Sequence, residues 1–303
     1  MKYNKPALSF DQQAQRLLDR GLIVADKATL VHHLSRVNYY RLSAYWYFFK
    51  RTDPVTGDEK FAPETHFDMI WRRYTFDREL RLLVMDAIEH IEVAILRTRM
   101  VEQFTLAHEP FGYCDPANFS PAFPTVEFNR LITDIDLAVK SSSEEFVTRF
   151  EGKYDEEPHL PLWMTSEVMT FGQLYTFYRN MHRHEQQMLA TPFKISAQVL
   201  GSWLHTLNFV RNACAHHSRL WNRQLPIRPL IPYPKNNPDW HTPVTFDNRW
   251  MFATLTMMWY LLKIIHPQSD WRARFEKLLA DYPEIPLNLM GFPANWHACR
   301  IWR

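Results

Sequence analysis

Apolar residues recur through most of this chain at the three- and four-residue spacing of one helix face. Ser9 stands where a first helix would be capped, ahead of Phe10, Ala14, Leu17 and Leu18 on one side. Asp26 offers the same start to a second helix, which ends in His32 and His33. Val37 to Lys50 is dense in aromatics, and Arg51 to Pro63 reads as a turn-rich connector. The longest periodic run goes from Phe67 to about Phe104, with Phe76, Leu80, Leu83, Val84, Ala87, Ile88, Ile91 and Ile95 as its stripe. Four prolines make Leu106 to Pro124 a loop. Helices are then expected to about Lys140, around Glu144 to Phe150, and from Thr165 to Asn180, followed by a polar loop over MHRHEQQ. Val199 to His217 is amphipathic, Pro226 to Pro238 is extended, and Phe246 to Ile265 is apolar all round, as a buried helix is. A short helix at Asp270 to Leu279 and a tail with apolar anchors close the chain. No repeat or long strand alternation appears, so the pattern predicts an all-α protein of helical-bundle type.

Composition agrees. Among 303 residues only 7 are glycine, about a third of ordinary usage. The 3 cysteines (Cys114, Cys214, Cys299) are odd in number and far apart, which offers neither a disulfide framework nor a zinc spacing and fits a reducing cytoplasm. The first residues carry no charged-then-apolar leader, and the run at Trp250 to Ile265 is too short for a bilayer and is broken by Lys263. A membrane partner is not expected.

The net charge of +2 is uninformative, but its distribution is not. Gln186 to Pro238 contains no Asp or Glu while holding Lys194, Arg211, Arg219, Arg223, Arg228 and Lys235. About six acids would be expected there from the chain's overall content. Such a segment suits an anionic partner such as RNA, unless the acidic Glu144 to Glu157 stretch folds over it. The aromatic stretch from Val37 to Lys50 can be read as a base-stacking surface, but such density more often means burial.

Within the acid-free segment, Leu200, Trp203, Leu204, Leu207, Val210 and Cys214 share an apolar arc. Asn208, Asn212 and His216 stack at i, i+4, i+8 beside it. Arg211 lies five residues before His216, about 140° away around a helix. Either the helix breaks near Ala215 or a second copy completes the pair. An imidazole that moves protons and a guanidinium that holds phosphate suit metal-free cleavage of RNA by its own 2′-hydroxyl. Arg179 to His184 repeats the spacing, so spacing alone does not choose. Glu89 and Glu92 could form half of a di-iron bundle site, but no partner Glu-x-x-His is present, and pairing with arginines is the better reading. The plain alternative for the motif is that Asn212 and His216 cap the helix end while Arg211 pairs with Glu89 or Glu92.

Five ordered blocks carry a resemblance: NYYRLSAYW from Asn38, FDRELRLLVMDAIEHIEVAI from Phe76, LPLWMTSEVMTFGQLYTFYRN from Leu160, VRNACAHHSRLWNR from Val210 and MGFPANW from Met290. The chain resembles the Abi-like proteins of bacterial abortive infection, the AbiD/AbiF group, over nearly its whole length. The resemblance implies a HEPN-type helical bundle whose R-N-x-x-x-H signature falls on Arg211, Asn212 and His216, not on the Arg179 copy. It implies residues 1–60 as a helical, aromatic extension, 61–266 as the HEPN-like bundle and 267–303 as a helix and docking tail. It further implies an endoribonuclease in phage defence, toxin-like, acting on single-stranded RNA as a homodimer without metal or cofactor. His216 would be the general acid/base, Arg211 would bind phosphate and Asn212 would orient the site. His217, Arg219, Asn222, Arg223, Asn208, Glu89 and Glu92 stand second, as RNA contacts or supports. Two other readings remain: a non-catalytic RNA-binding protein paired with a small noncoding RNA, and a dimerising regulatory module.

Overall fold

A computed structural model describes residues 2, 6–54 and 57–303. The chain divides into two units, residues 1–80 with 277–285, and residues 81–276 with 286–303.

In the first unit, α1 (Phe10–Asp19) starts where expected: Ser9 Oγ accepts from the Gln12 amide at 3.2 Å, and Gln12 Oε1 accepts from the Ser9 amide at 2.8 Å. This reciprocal capping box satisfies two donors that a helix start otherwise leaves bare. Asp26 caps α2 (Lys27–Arg36) through the amides of Ala28 and Thr29. Those bonds to its charged form hold the Asp26 carboxyl below its ordinary range. Asn38 caps α3 (Tyr39–Trp46), accepting the Tyr40 amide at 2.7 Å. A two-stranded antiparallel hairpin follows, β1 (Lys50–Thr52) pairing with β2 (Glu59–Phe61). It replaces most of the expected connector, of which Val55 and Thr56 lie outside the described residues. Then α4 (Phe67–Ile91) begins, its residues through Leu80 in this unit. Its buried Asp77 accepts from the Tyr45 hydroxyl at 2.5 Å. The Arg72 guanidinium pairs with Glu284 and lies 4.8 Å from the Tyr282 ring centre, tying Lys277–Ile285 to α4.

The second unit takes up α4 at Arg81. The helix continues through a π-helical segment, Glu92–Met100, into α5 (Val101–His108). The long expected helix is therefore present, but with a change of pitch that nothing in the apolar pattern marks. Next come α6 (Thr125–Ser141), α7 (Glu145–Lys153), α8 (Leu162–Val168), α9 (Phe171–Asn180) and α10 (Arg183–Ala190). The single helix expected over Thr165 to Asn180 is thus two. The first ends at Val168 and Thr170 caps the second, its hydroxyl accepting from the Gln173 amide at 3.3 Å. MHRHEQQ is no loop either: α10 starts inside it, with Glu185 Oε2 accepting the His182 amide at 3.1 Å.

The central helix is α11 (Ala197–Ala215), capped by Ser196 and packed on α9 and α10. Its expected apolar arc is buried, Leu200, Trp203, Leu204, Leu207 and Val210 all fully; each such side chain contributes roughly 2 kcal/mol by leaving water. Between α11 and α12 (Met251–Ile265) the chain is largely irregular, as its prolines require. The tail anchors on α12: Trp302 Nε1 donates to Thr256 Oγ1 at 2.8 Å, and Lys263 Nζ to the Ile301 carbonyl at 2.6 Å. Last among the helices, α13 (Trp271–Asp281) contributes its residues through Glu276, with Trp271 Nε1 donating to the Leu83 carbonyl at 2.8 Å. The architecture is all-α apart from the hairpin. Among the described residues no helix is long and apolar enough to cross a membrane.

Candidate functional site

The R-N-x-x-x-H residues close α11. The helix ends at Ala215, and His216 is its C-cap at φ −86° and ψ 11°. The His216 amide still donates to the Asn212 carbonyl at 3.0 Å, so His216 keeps the helical register. The break comes one residue too late to turn His216 toward Arg211. Beyond it, His217 adopts φ +56°. Its amide donates to Cys214 O at 2.9 Å, and the Ser218 amide to Ala213 O at 2.7 Å. These two bonds form a Schellman motif, which normally places glycine where His217 stands. Arg81, buried on α4, reaches the Ser218 carbonyl at 3.5 Å and fixes where the chain leaves the helix.

Capping at this end is done by backbone groups. Asn212 and His216 are exposed. Arg211 is half-buried, and its Nη1 donates to Asn212 Oδ1 at 3.3 Å. Among the described residues neither Arg211 nor His216 forms an ion pair. The arrangement in which Arg211 pairs with Glu89 or Glu92 is not the one present.

Those carboxylates are nonetheless neighbours. Arg211 shares a cleft of about 390 Å³ with Leu82, Met85, Asp86, Ile88, Glu89 and Glu92. Two of the three acids are neutralised elsewhere: Asp86 by Arg274 at 2.5 Å, Glu92 by Arg97 at 2.6 Å. Glu89 is exposed and has no ion pair among the described residues. Arg97 was not foreseen as part of the site. It also donates to the Met169 carbonyl at 2.8 Å and to the Ser166 carbonyl. In an α-helix, residues five apart point about 140° away from one another. Glu92 and Arg97 meet because they lie in the π segment, whose i→i+5 bonding stacks such residues.

The remaining candidates scatter around the helix end. Asn208 is half-buried and faces Gly172 at the start of α9. The Arg223 guanidinium lies 5.3 Å from the Phe209 ring centre. Asn222 has φ +48°, and its side-chain Nδ2 is shielded with no hydrogen-bond partner among the described residues. Arg219 is half-buried and His217 exposed.

The rival Arg179 copy is committed to structure, its guanidinium pairing with Glu127 at 2.6 Å. His184 lies on the first turn of α10, exposed, its ring 5.7 Å from that of His182. His205, exposed on α11, stacks on Tyr175 at 5.0 Å between ring centres. Burial and then the Arg179 charge push its pKa below the ordinary value, keeping it neutral. Among the described residues no group of three or more His, Cys, Asp or Glu is placed to hold a metal ion.

The fold and this helix end define a helical protein with an R-N-x-x-x-H terminus inside an acid-free segment. The family described as Abi-like protein matches residues 32–222, well over half the chain, and the chain belongs to that family, among abortive-infection proteins. Neither a curated protein nor a solved structure matches it.

Proposed function

We propose that the protein is a HEPN-type endoribonuclease of abortive infection that cuts single-stranded RNA without a metal. The observation that carries this reading is the end of α11: Arg211, Asn212 and His216 close one well-packed helix, and among the described residues no carboxylate pairs with either the guanidinium or the imidazole. A structural ion pair or a side-chain cap would have used them.

In the proposed reaction the 2′-hydroxyl attacks the neighbouring phosphorus while His216 takes its proton. Arg211 stabilises the extra negative charge on the phosphoryl oxygens, and Asn212, which touches Arg211, sets its direction. The P–O5′ bond then breaks, and an imidazolium protonates the departing 5′-oxygen. One chain cannot aim Arg211 and His216 at one phosphate, because the helix holds them about 140° apart. A two-fold dimer supplies the second imidazole and arginine in a shared groove. In such a dimer the partner would cover Leu82, 57% exposed, and the half-buried Met85 beside Arg211. Glu89 supports the site from the cleft wall, and Arg97 holds Glu92 away from Arg211. A small noncoding RNA is the proposed regulatory partner, bound by the same acid-free segment.

The test is RNA cleavage by three single variants. His216→Ala and Arg211→Ala lose cleavage and growth toxicity with helical content unchanged, whereas His184→Ala behaves like the unmodified chain. Loss at His184 with retention at His216 would assign the site to the other copy.

A further inference from the structure

The first unit holds a second cleft, of about 530 Å³, within the usual range for ligand sites. Its lining joins Arg16 of α1 and Arg20, the α1 C-cap, to Tyr39, Tyr40, Ser43 and Trp46 of α3, with Lys50 and Glu59 from the hairpin. The aromatic stretch of the sequence divides here by face. Tyr45 and Trp46 are buried, as core packing demands, but Tyr40 is 85% exposed and Tyr47 65%. Tyr40 and Ser43 lie three apart on α3, one above the other, and Tyr47 opens the 3-10 turn that follows it. The Asn38 cap fixes the backbone at Tyr40, so this ring is offered from a rigid start. Its exposure contributes nothing to the core.

The charges beside it are also uncommitted. Arg16 on α1 and Arg20, its C-cap, have no carboxylate partner among the described residues; Arg20 Nη1 donates to the Tyr39 hydroxyl at 3.5 Å. The acids of α1 are otherwise engaged, Asp11 with Lys27 and Asp19 with Gln15. Glu59, the acid in the lining, is neutralised by Lys50 at 2.6 Å. Among the described residues, what faces the cleft is therefore a pair of guanidiniums with no carboxylate partner and the exposed Tyr40 ring. Guanidiniums take phosphate, and an exposed ring takes the face of an unpaired base. An acidic peptide would use the first and waste the second.

We propose that this cleft binds single-stranded RNA, with a base on Tyr40 and the adjoining phosphates on Arg16 and Arg20. The choice of RNA as the strand rests on the nuclease reading above; the cleft's chemistry does not. It gives the chain a grip on RNA in a different unit from the cutting residues.

The test uses the full chain carrying His216→Ala, so that RNA stays intact, and a fluorescein-labelled oligoribonucleotide of about a dozen nucleotides, a typical single-strand site size. Anisotropy titrations should show Tyr40→Ala and the pair Arg16→Ala/Arg20→Ala each weakening binding about tenfold. Tyr40→Phe, which keeps the ring, should bind within about twofold of the parent. Circular dichroism should be unchanged throughout, since Tyr40 and Arg16 are exposed. Photocrosslinking with 4-thiouridine should label peptides spanning Tyr39 to Lys50. Parental affinity in both alanine variants overturns the proposal, as does Tyr40→Phe binding as weakly as Tyr40→Ala. Displacement of RNA by an oligoglutamate of equal charge, or equal affinity for a mononucleotide, also overturns it. The two readings fail separately. Crosslinks confined to residues 205–223 remove the cleft and leave the nuclease, whereas crosslinks at Tyr39 to Lys50 in an unmutated chain that never cuts RNA do the reverse.

Discussion

Arg97→Ala is the substitution whose effect the structure specifies best. The Arg97 and Glu92 side chains are only 15% and 14% exposed. The guanidinium donates twice to Glu92 Oε1, at 2.6 and 3.1 Å, and also to the carbonyls of Met169 and Ser166. Removing it strands a largely buried carboxylate and takes a partner from two carbonyls at the end of α8. Breaking a buried pair from one side costs about 3–5 kcal/mol, a large share of the 5–15 kcal/mol that holds a typical domain folded. Adding Glu92→Ala removes the stranded charge, so the double variant should regain roughly 1–3 kcal/mol of that loss. Urea unfolding measures both as midpoint shifts at constant slope. The pair also bears on activity. Glu92 lines the cleft that holds Arg211, and without Arg97 its carboxylate is released to compete with RNA phosphate for that guanidinium. Cleavage should fall in Arg97→Ala and recover in Arg97→Ala/Glu92→Ala. A loss under about 1 kcal/mol for the single variant, or a double variant less stable than the single, refutes the reasoning.

Three further outcomes follow from the same geometry. His217→Gly should stabilise the fold by about 1 kcal/mol, read as a higher urea midpoint, because glycine adopts the left-handed Schellman position without steric cost; a loss of stability would contradict it. Burial, then neighbouring positive charge, hold His33 and His205 below the ordinary histidine pKa. The unfolded chain therefore takes up protons that the folded chain refuses, and their contribution, present above about pH 6.5, is lost as pH falls through the depressed folded values. A His33→Gln/His205→Gln chain should show a flatter acid limb in its stability profile, and an equally steep one would assign that limb elsewhere. Mixing His216→Ala chains into active protein should lower cleavage faster than the active fraction falls, as hybrid dimers form; a strictly proportional decline would indicate independent monomers.

Much of this fold is legible because local chemistry and packing agree. Ser9 and Asp26 cap helices whose apolar faces are buried behind them, and α12 reads as buried because it is apolar on every side. The break at Thr170 carries a signal, Thr170 and Gln173 at capping-box spacing, but the apolar period runs on across it and masks it. The box at His182 and Glu185 lacks the usual Ser or Thr and hides better. Strands of three residues, such as Lys50–Thr52, are too short to alternate. The π segment leaves no trace in the pattern, and with it the Glu92–Arg97 clamp stays hidden. That Lys277–Ile285 groups with the N-terminal residues is a matter of tertiary contact alone. At the motif, the helix, the stacked Asn212 and His216 and the misaligned Arg211 are all readable from spacing. What the spacing does not decide is whether Arg211 spends its charge on Glu89 or Glu92; Arg97 and the π turn decide that for Glu92.

The central claim is that Arg211 and His216 cut RNA through its own 2′-hydroxyl. The most direct measurement compares one labelled single-stranded RNA with the same strand carrying a single 2′-deoxynucleotide at the cut position, each with and without EDTA, and identifies the product ends. The all-ribose strand should give a 2′,3′-cyclic phosphate and a 5′-hydroxyl, indifferent to EDTA, and the deoxy-substituted strand should not be cut. Cleavage of the deoxy-substituted strand, or activity that vanishes with EDTA and returns with a divalent ion, would contradict the 2′-hydroxyl mechanism and point to a metal-activated water as the nucleophile.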